Sequence, residues 1–153
     1  LSYEPVCSTF KLLNENIKKN LLNEKIISIN AGISSENKEA KIFFNKNHSG
    51  EASLANNAST NSETIKLINH SVLNKQIEND HDLIVKIDVE GHEEVVIKEL
   101  CKLNKMNNIA IIVYEIDERW TNHINIKNTL MREGFISFEK IGSGKHYDIV
   151  AKR

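Results

Sequence analysis

The residues that punctuate or cross-link a chain are scarce here: one proline, two cysteines and six glycines among 153 residues. Cys7 and Cys101 stand in unrelated contexts without C-x-x-C spacing, which excludes a disulfide framework and leaves two small buried or half-buried thiols. Reduced thiols suit a cytoplasmic location. No apolar run approaches the ~20 residues of a membrane-spanning helix, and no signal-peptide pattern opens the chain. The net charge is -1, so no surplus of Lys and Arg exists to neutralise nucleic-acid phosphates. The glycines are Gly32, Gly50, Gly91, Gly134, Gly142 and Gly144, and none forms a Gly-x-Gly strand-to-helix turn. Gly142-Ser143-Gly144 has the spacing but falls between two C-terminal strand-like segments, where it suits a hairpin turn needing φ > 0.

What remains is an ordinary soluble composition, 40% hydrophobic and 27% charged, on a chain of single-domain length. Asparagine is abundant, with 20 residues, and at that content the sequons at Asn47, Asn57 and Asn69 carry no weight. Leu1–Tyr3 has the pattern of a strand, ended by Glu4-Pro5, since proline cannot donate to a ladder. Phe10, Leu13, Ile17 and Leu21 keep helical spacing after a cap at Ser8 or Thr9. Residues 25–30 form a second strand, stopped by Ala31-Gly32. Strand, helix and strand in that order predict parallel pairing through a right-handed crossover.

The pattern loosens over 34–82. Strands are expected at 40–44 and 63–68, a polar loop from His48 to Ser62, and a helical turn at 72–77. Two readings of this segment stand, a surface insertion built on a hairpin and a substrate lid. Regular structure then resumes in Leu83-Ile84-Val85-Lys86-Ile87-Asp88-Val89-Glu90-Gly91-His92-Glu93. A β-branched and aliphatic run predicts a strand over 83–89 buried on both faces, ending in carboxylates where open α/β sheets bind ligands. A helix over 93–105 follows, with Val96, Ile97, Leu100 and Cys101 on the apolar face and Lys98, Glu99 and Lys102 on the polar one. The chain continues with an apolar strand at 109–114 ended by Glu115, a helix at 124–133 closed by Gly134 at C′, and strands at 135–141 and 147–151. The count predicts an α/β fold, a mostly parallel sheet with an antiparallel C-terminal hairpin.

The string 86–93, the apolar helix after it and Ile111-Ile112-Val113-Tyr114-Glu115 resemble an FkbM-type methyltransferase. So do Tyr3-Glu4-Pro5, Leu13, Asn16, Asn30-Ala31-Gly32-Ile33 and the terminal Gly134-Phe135 with its hairpin, and the resemblance runs over nearly the whole chain. It implies a Rossmann-like class I fold dependent on S-adenosylmethionine, with strand order 3-2-1-4-5-7-6, acting on hydroxyls of sugars and related metabolites. By position it implies that Glu4 holds the cofactor ribose, a carboxylate being able to accept two hydrogen bonds. Asn30 and Ala31 would then lie near the adenine, and Asp88 would face the methionine end and the acceptor. The family's first βα unit and glycine-rich turn have no counterpart in 1–153. The expectation is therefore a single partial domain whose second and fourth strands pair directly, in the order 3-2-4-5-7-6, or whose gap another chain fills. Such a chain by itself is expected to hold the cofactor weakly or not at all.

Methyl transfer to oxygen needs an aligned acceptor and a base for its proton. Asp88, Glu90, His92 and Glu115 are the candidates, with Glu93 equally suited to favour its own helix N-terminus. Asp88 and Glu90 alternate at a strand end and so share a face, and Gly91 allows close backbone approach. Three ligands as close in sequence as Asp88, Glu90 and His92 seldom converge on one ion, so no metal is assigned. His48, His70, His81, His123 and His146 are scattered, and Trp120 fits either a sugar platform or a cap on the sheet edge. The alternative is a non-catalytic α/β module that binds a partner or oligomerises.

Overall fold

A computed structural model describes residues 1–45, 48–53, 61–77 and 81–153. The chain divides into two compact units, Leu1–Asn69 and His70–Arg153. The fold is α/β with mixed sheets, and four α-helices lie among the described residues.

In the first unit, β1 (Ser2–Tyr3) pairs in parallel with β2 (Ser28–Ile29) across helix α1 (Cys7–Lys19). This is the expected strand–helix–strand unit, with shorter strands. The cap differs from expectation. Val6 occupies the N-cap, and the Glu4 and Glu63 carboxylates accept the Val6 and Cys7 amides at 2.7 and 2.6 Å, so Ser8 and Thr9 fall inside the helix. Leu21 lies beyond the helix end at φ 57 and is exposed, so it drops out of the predicted apolar face, whose Ile17 is buried.

The second strand stops before Ala31-Gly32, as expected, and Gly32 then begins a further short strand, β3 (Gly32–Ile33). A second sheet follows in the order β3-β6-β4-β5, with β4 at Lys38–Asn45, β5 at His48–Ser53 and β6 at Asn61–Ile68. The predicted strands at 40–44 and 63–68 are thus present. The first part of the expected polar loop is strand β5 instead, because pairing with β4 satisfies backbone groups whatever the side-chain polarity. Residues 54–60, like Asn47 and Asn57, lie outside the described residues. Val6, Ile42, Ile65 and Leu67 form the apolar cluster of this unit.

The second unit opens with α2 (His70–Gln76), which begins two residues before the turn predicted at 72–77 and ends one residue short of it. Strand β7 (Leu83–Ile87), helix α3 (Glu93–Leu100), strand β8 (Ile109–Asp117), helix α4 (His123–Arg132) and strands β9 (Ser137–Ile141) and β10 (His146–Lys152) follow. The sheet order is β7-β8-β10-β9, with β7 parallel to β8 and the other two pairings antiparallel. Its core includes Ile97, Ile109, Ile112, Tyr114, Ile126, Leu130 and Phe135.

Several expectations are corrected here. The sheets are mixed rather than mostly parallel, with three parallel pairings against four antiparallel among the described strands. The expected order 3-2-4-5-7-6 is not present among the described strands, since β1 and β7 belong to different sheets. Strand β7 is an edge of its sheet and is half-buried, with Ile84 71% exposed, not buried on both faces. Helix α3 stops at Leu100 rather than 105, because Lys102 and Leu103 donate to the carbonyls three residues back and tighten the chain out of α geometry. Glu99, assigned to its polar face, is 1% exposed and held by the His70 amide, His70 Nδ1 and Lys102 Nζ.

The C-terminus of α4 follows expectation closely. Gly134 takes φ 89, its amide donates to Met131, and the Phe135 amide donates to Leu130, a full Schellman closure with Phe135 and Leu130 both buried. Gly142 and Gly144 both adopt positive φ in the terminal hairpin, as predicted.

Candidate functional site

In the first unit, Glu4, Asn30 and Ala31 come together at the carboxyl ends of the parallel strands β1 and β2. Their side chains are already engaged. Asn30 Nδ2 donates to the Glu4 and Pro5 carbonyls at 2.9 and 3.0 Å, tying the turn after β1 to the end of β2. One Glu4 oxygen accepts the Val6 amide, and burial pushes the Glu4 carboxyl above its usual range, helped by the nearby Glu63 charge. Ala31 is 1% exposed. The second Glu4 oxygen and the remaining lone pairs still suit hydroxyl donors. The Asn30 side-chain amide group is thus used twice.

In the second unit, parallel β7 and β8 end on the same edge, and β10 brings a third strand to it antiparallel. Glu115 was expected to terminate its strand. It lies inside β8 instead, because the register of β10 carries pairing on to His146 opposite Asp117. That register also places His146 Nε2 2.6 Å from Glu115 Oε1. The Glu115 carboxylate holds the His146 imidazole above its usual pKa, so the ring favours the charged form.

Glu90 joins this group. Its side chain is exposed, and its pKa is raised by partial desolvation and further by the negative charges of Glu115 and Glu93. Asp88, exposed beyond the end of β7, pairs with Lys86 at 2.5 Å. Asp88 and Glu90 therefore do not share partners, although both follow β7. His92 is half-buried at the N-cap of α3, and burial lowers its pKa, which favours the neutral ring able to accept a proton.

Glu93 is 3% exposed and accepts the Thr121 hydroxyl at 2.6 Å and the Gly91 amide at 3.1 Å. It locks the turn after β7 to the loop after β8, a role beyond favouring its own helix end. Gly91 has φ 75, and a Cβ built there would lie 3.3 Å from Trp120 Cβ. The glycine thus serves both the turn and a close approach to the indole. Asp117, 7% exposed, is paired with the Arg119 guanidinium, which holds its carboxyl down at about 2.

Beside this turn is an open cleft of about 470 Å³, walled by residues 118–124 and Tyr147. Trp120 is 67% exposed there, so it does not cap the sheet edge. Arg119 stacks on the Trp120 ring at 5.6 Å, and the Tyr114 hydroxyl lies 3.4 Å from His123 Nδ1. His123, Tyr147 and Glu118 were not singled out as site residues. For Tyr147 the signal was register: a hairpin around Gly142–Gly144 sets His146 and Tyr147 against the end of β8.

Among the described residues, no group of three or more His, Cys, Asp or Glu side chains is arranged to hold a metal ion. Cys7 is exposed, contrary to expectation, and Cys101 is half-buried with its thiol pushed up to about 11 by burial; both are free. No helix among the described residues is long and apolar enough to cross a membrane. Comparison with protein-family models, with curated proteins and with solved structures finds no match to this chain.

Proposed function

We propose that the chain is an S-adenosylmethionine-dependent methyltransferase domain of the FkbM type, of Rossmann-like class I architecture, acting in the cytoplasm on a hydroxyl of a sugar or related small molecule. The observation that carries this reading is the sheet of the second unit. Its order β7-β8-β10-β9, parallel and then antiparallel, matches the 4-5-7-6 half of that fold, with the acidic turn on the carboxyl edge where such sheets bind ligands. The parallel pair β1 and β2, ending in Glu4 and in Asn30-Ala31, agrees with the 2-3 portion.

The bound cofactor would supply an electrophilic methyl group. Glu4 would accept ribose hydroxyls through its unengaged oxygen, Asn30 and Ala31 would border the adenine, and Asp88 would face the methionine end and the acceptor. Glu90 suits the base best, because partial desolvation and the like charges of Glu115 and Glu93 raise its affinity for a proton. His92, whose neutral ring is favoured, is the second candidate, while Glu115 acts through His146 as an orienting carboxylate.

A second reading, a non-catalytic α/β module, is favoured by one observation. The Asn30 amide and one Glu4 oxygen are committed to hydrogen bonds within the first unit. In either reading β7 is an edge strand among the described residues, and a homo-oligomer pairing at that edge belongs to the proposal. Isothermal titration with S-adenosylhomocysteine separates the two. Saturable binding that Glu4→Ala and Asp88→Ala both weaken supports the methyltransferase. Absence of heat up to millimolar ligand leaves the non-catalytic module.

A further inference from the structure

We infer that the closed turn after α1 docks on an anionic phospholipid bilayer surface, with Leu21 and Ile27 entering the headgroup layer and lysines meeting the phosphates. The turn is built to present a leucine. Asn20 ends α1, and the Leu21 and Leu22 amides donate to the Lys18 and Ile17 carbonyls at 3.1 and 2.9 Å, a complete Schellman closure. Leucine therefore occupies the C′ position that glycine or asparagine ordinarily fills. At φ 57 it is the single non-glycine residue of positive φ among the described residues, and it is 85% exposed. Its backbone is strained and its side chain lies outside the core, so the fold itself gains little from it. The Lys25 and Ile26 amides then close the next turn on the Leu22 carbonyl at 2.9 and 3.0 Å. Ile27, 64% exposed, follows at once.

The residues that flank these two side chains select the partner. Lys18, Lys19 and Lys25 are exposed on the same stretch, with Glu24 as the acid between Leu21 and Ile27. Glu15 lies one turn back, 3.9 Å from Lys19, an exposed pair that holds the lysine weakly. Projecting aliphatic tips flanked by lysines match the layering of a bilayer surface, hydrocarbon below and phosphate above. A second copy of the chain fits poorly, because a two-fold contact sets the same lysines against each other. A folded protein partner needs about 800 Å² of matching surface, more than two projecting side chains supply, whereas a bilayer accepts side chains singly. The Ser2 amide donates to the Ile27 carbonyl at 2.9 Å, which places this surface at the amino ends of β1 and β2. Glu4 and Asn30 lie at the carboxyl ends of the same strands, so lipid docking is independent of the methyltransferase reading.

Co-sedimentation of the full chain with vesicles of phosphatidylglycerol and phosphatidylcholine in equal parts tests this, with pure phosphatidylcholine as the control. Binding to the anionic vesicles is expected, half-complete at about 1 mM lipid and lost in about 0.5 M NaCl. Lys18→Gln and Lys25→Gln should each weaken it about fivefold, and Leu21→Gly about tenfold. Leu21→Gly should also raise the urea midpoint of unfolding, since glycine suits the C′ backbone. Absence of binding to the anionic vesicles, equal binding to phosphatidylcholine alone, or unchanged binding in Leu21→Gly overturns the inference. A lowered urea midpoint in Leu21→Gly would show the leucine to serve the fold. A dimer in sedimentation velocity that Leu21→Gly dissociates would assign the patch to a second copy. Either of these two results also overturns lipid docking.

Discussion

Replacing Gly91 by alanine makes two demands at one position. The backbone there has φ 75, a region that costs an L-residue about 1–2 kcal/mol. The new Cβ would also lie 3.3 Å from Trp120 Cβ, so the indole must give by a few tenths of an ångström. Trp120 is 67% exposed and able to move, so the second demand is relieved by displacement and adds little energy. Gly144 provides the matched control, with φ 76 and nothing within 4 Å of its added Cβ. Gly144→Ala and Gly91→Ala should therefore each lose about 1–2 kcal/mol, a fall of roughly 0.5–1 M in urea midpoint at a slope of about 2 kcal/mol/M. Only Gly91→Ala should shift the native emission of Trp120. Urea unfolding followed by far-ultraviolet circular dichroism and native-state fluorescence measure the two effects separately. An unchanged emission in Gly91→Ala, or a shift of equal size in Gly144→Ala, would refute the link between the turn and the indole.

Three further outcomes follow from other side chains. Glu99→Ala should destabilise the chain by about 2–3 kcal/mol in urea unfolding, since it leaves the half-buried His70 amide and ring without their carboxylate. Burial pushes the Glu99 pKa up, but the Lys102 and His70 hydrogen bonds outweigh it and the net shift is downward, so its stabilisation is present above the ordinary 4.5 and is lost as pH falls through the lower folded value. The His146 pKa moves the other way from 6.5, chiefly through its bond to Glu115. The stability difference between the wild type and His146→Gln should be largest below 6.5 and vanish as pH rises through the raised value, and a difference that grows with pH would contradict the pairing. Arg153→Ala removes donors to the carbonyls of Ile109, Glu133 and Met106 and a cation stacked on Phe135; a loss of about 2–4 kcal/mol in thermal unfolding is expected, and a loss below about 0.5 would show Arg153 to be dispensable.

Local chemistry accounts for most of what could be read in advance. The end of α4 is an example: only glycine takes the left-handed C′ position readily, and Gly134 follows the last apolar residues of the helix at that point. Gly142 and Gly144 marked the terminal hairpin for the same reason. Departures arose where a partner distant in sequence set the outcome. Glu63, 56 residues from Cys7, takes the capping role assigned to Ser8 or Thr9. Likewise Glu99 lies on the polar side of its own helix by sequence, yet His70, 29 residues earlier, draws its carboxylate inside.

The sequence alone determined the elements of the second unit, the positive-φ turns and the acidic residues that follow β7. Each depends on side-chain periodicity or backbone preference within a few residues, and such preferences act before any long-range contact forms. Tertiary structure alone decided which of those carboxylates work together. Strand register set Glu115 against His146, burial made Glu93 a tie to Thr121, and the end of β7 left Asp88 outside with Lys86. It also decided that Trp120 stands exposed over a cleft. Charge coupling and burial depend on distances between residues far apart in the chain, and those distances exist only once the strands have paired.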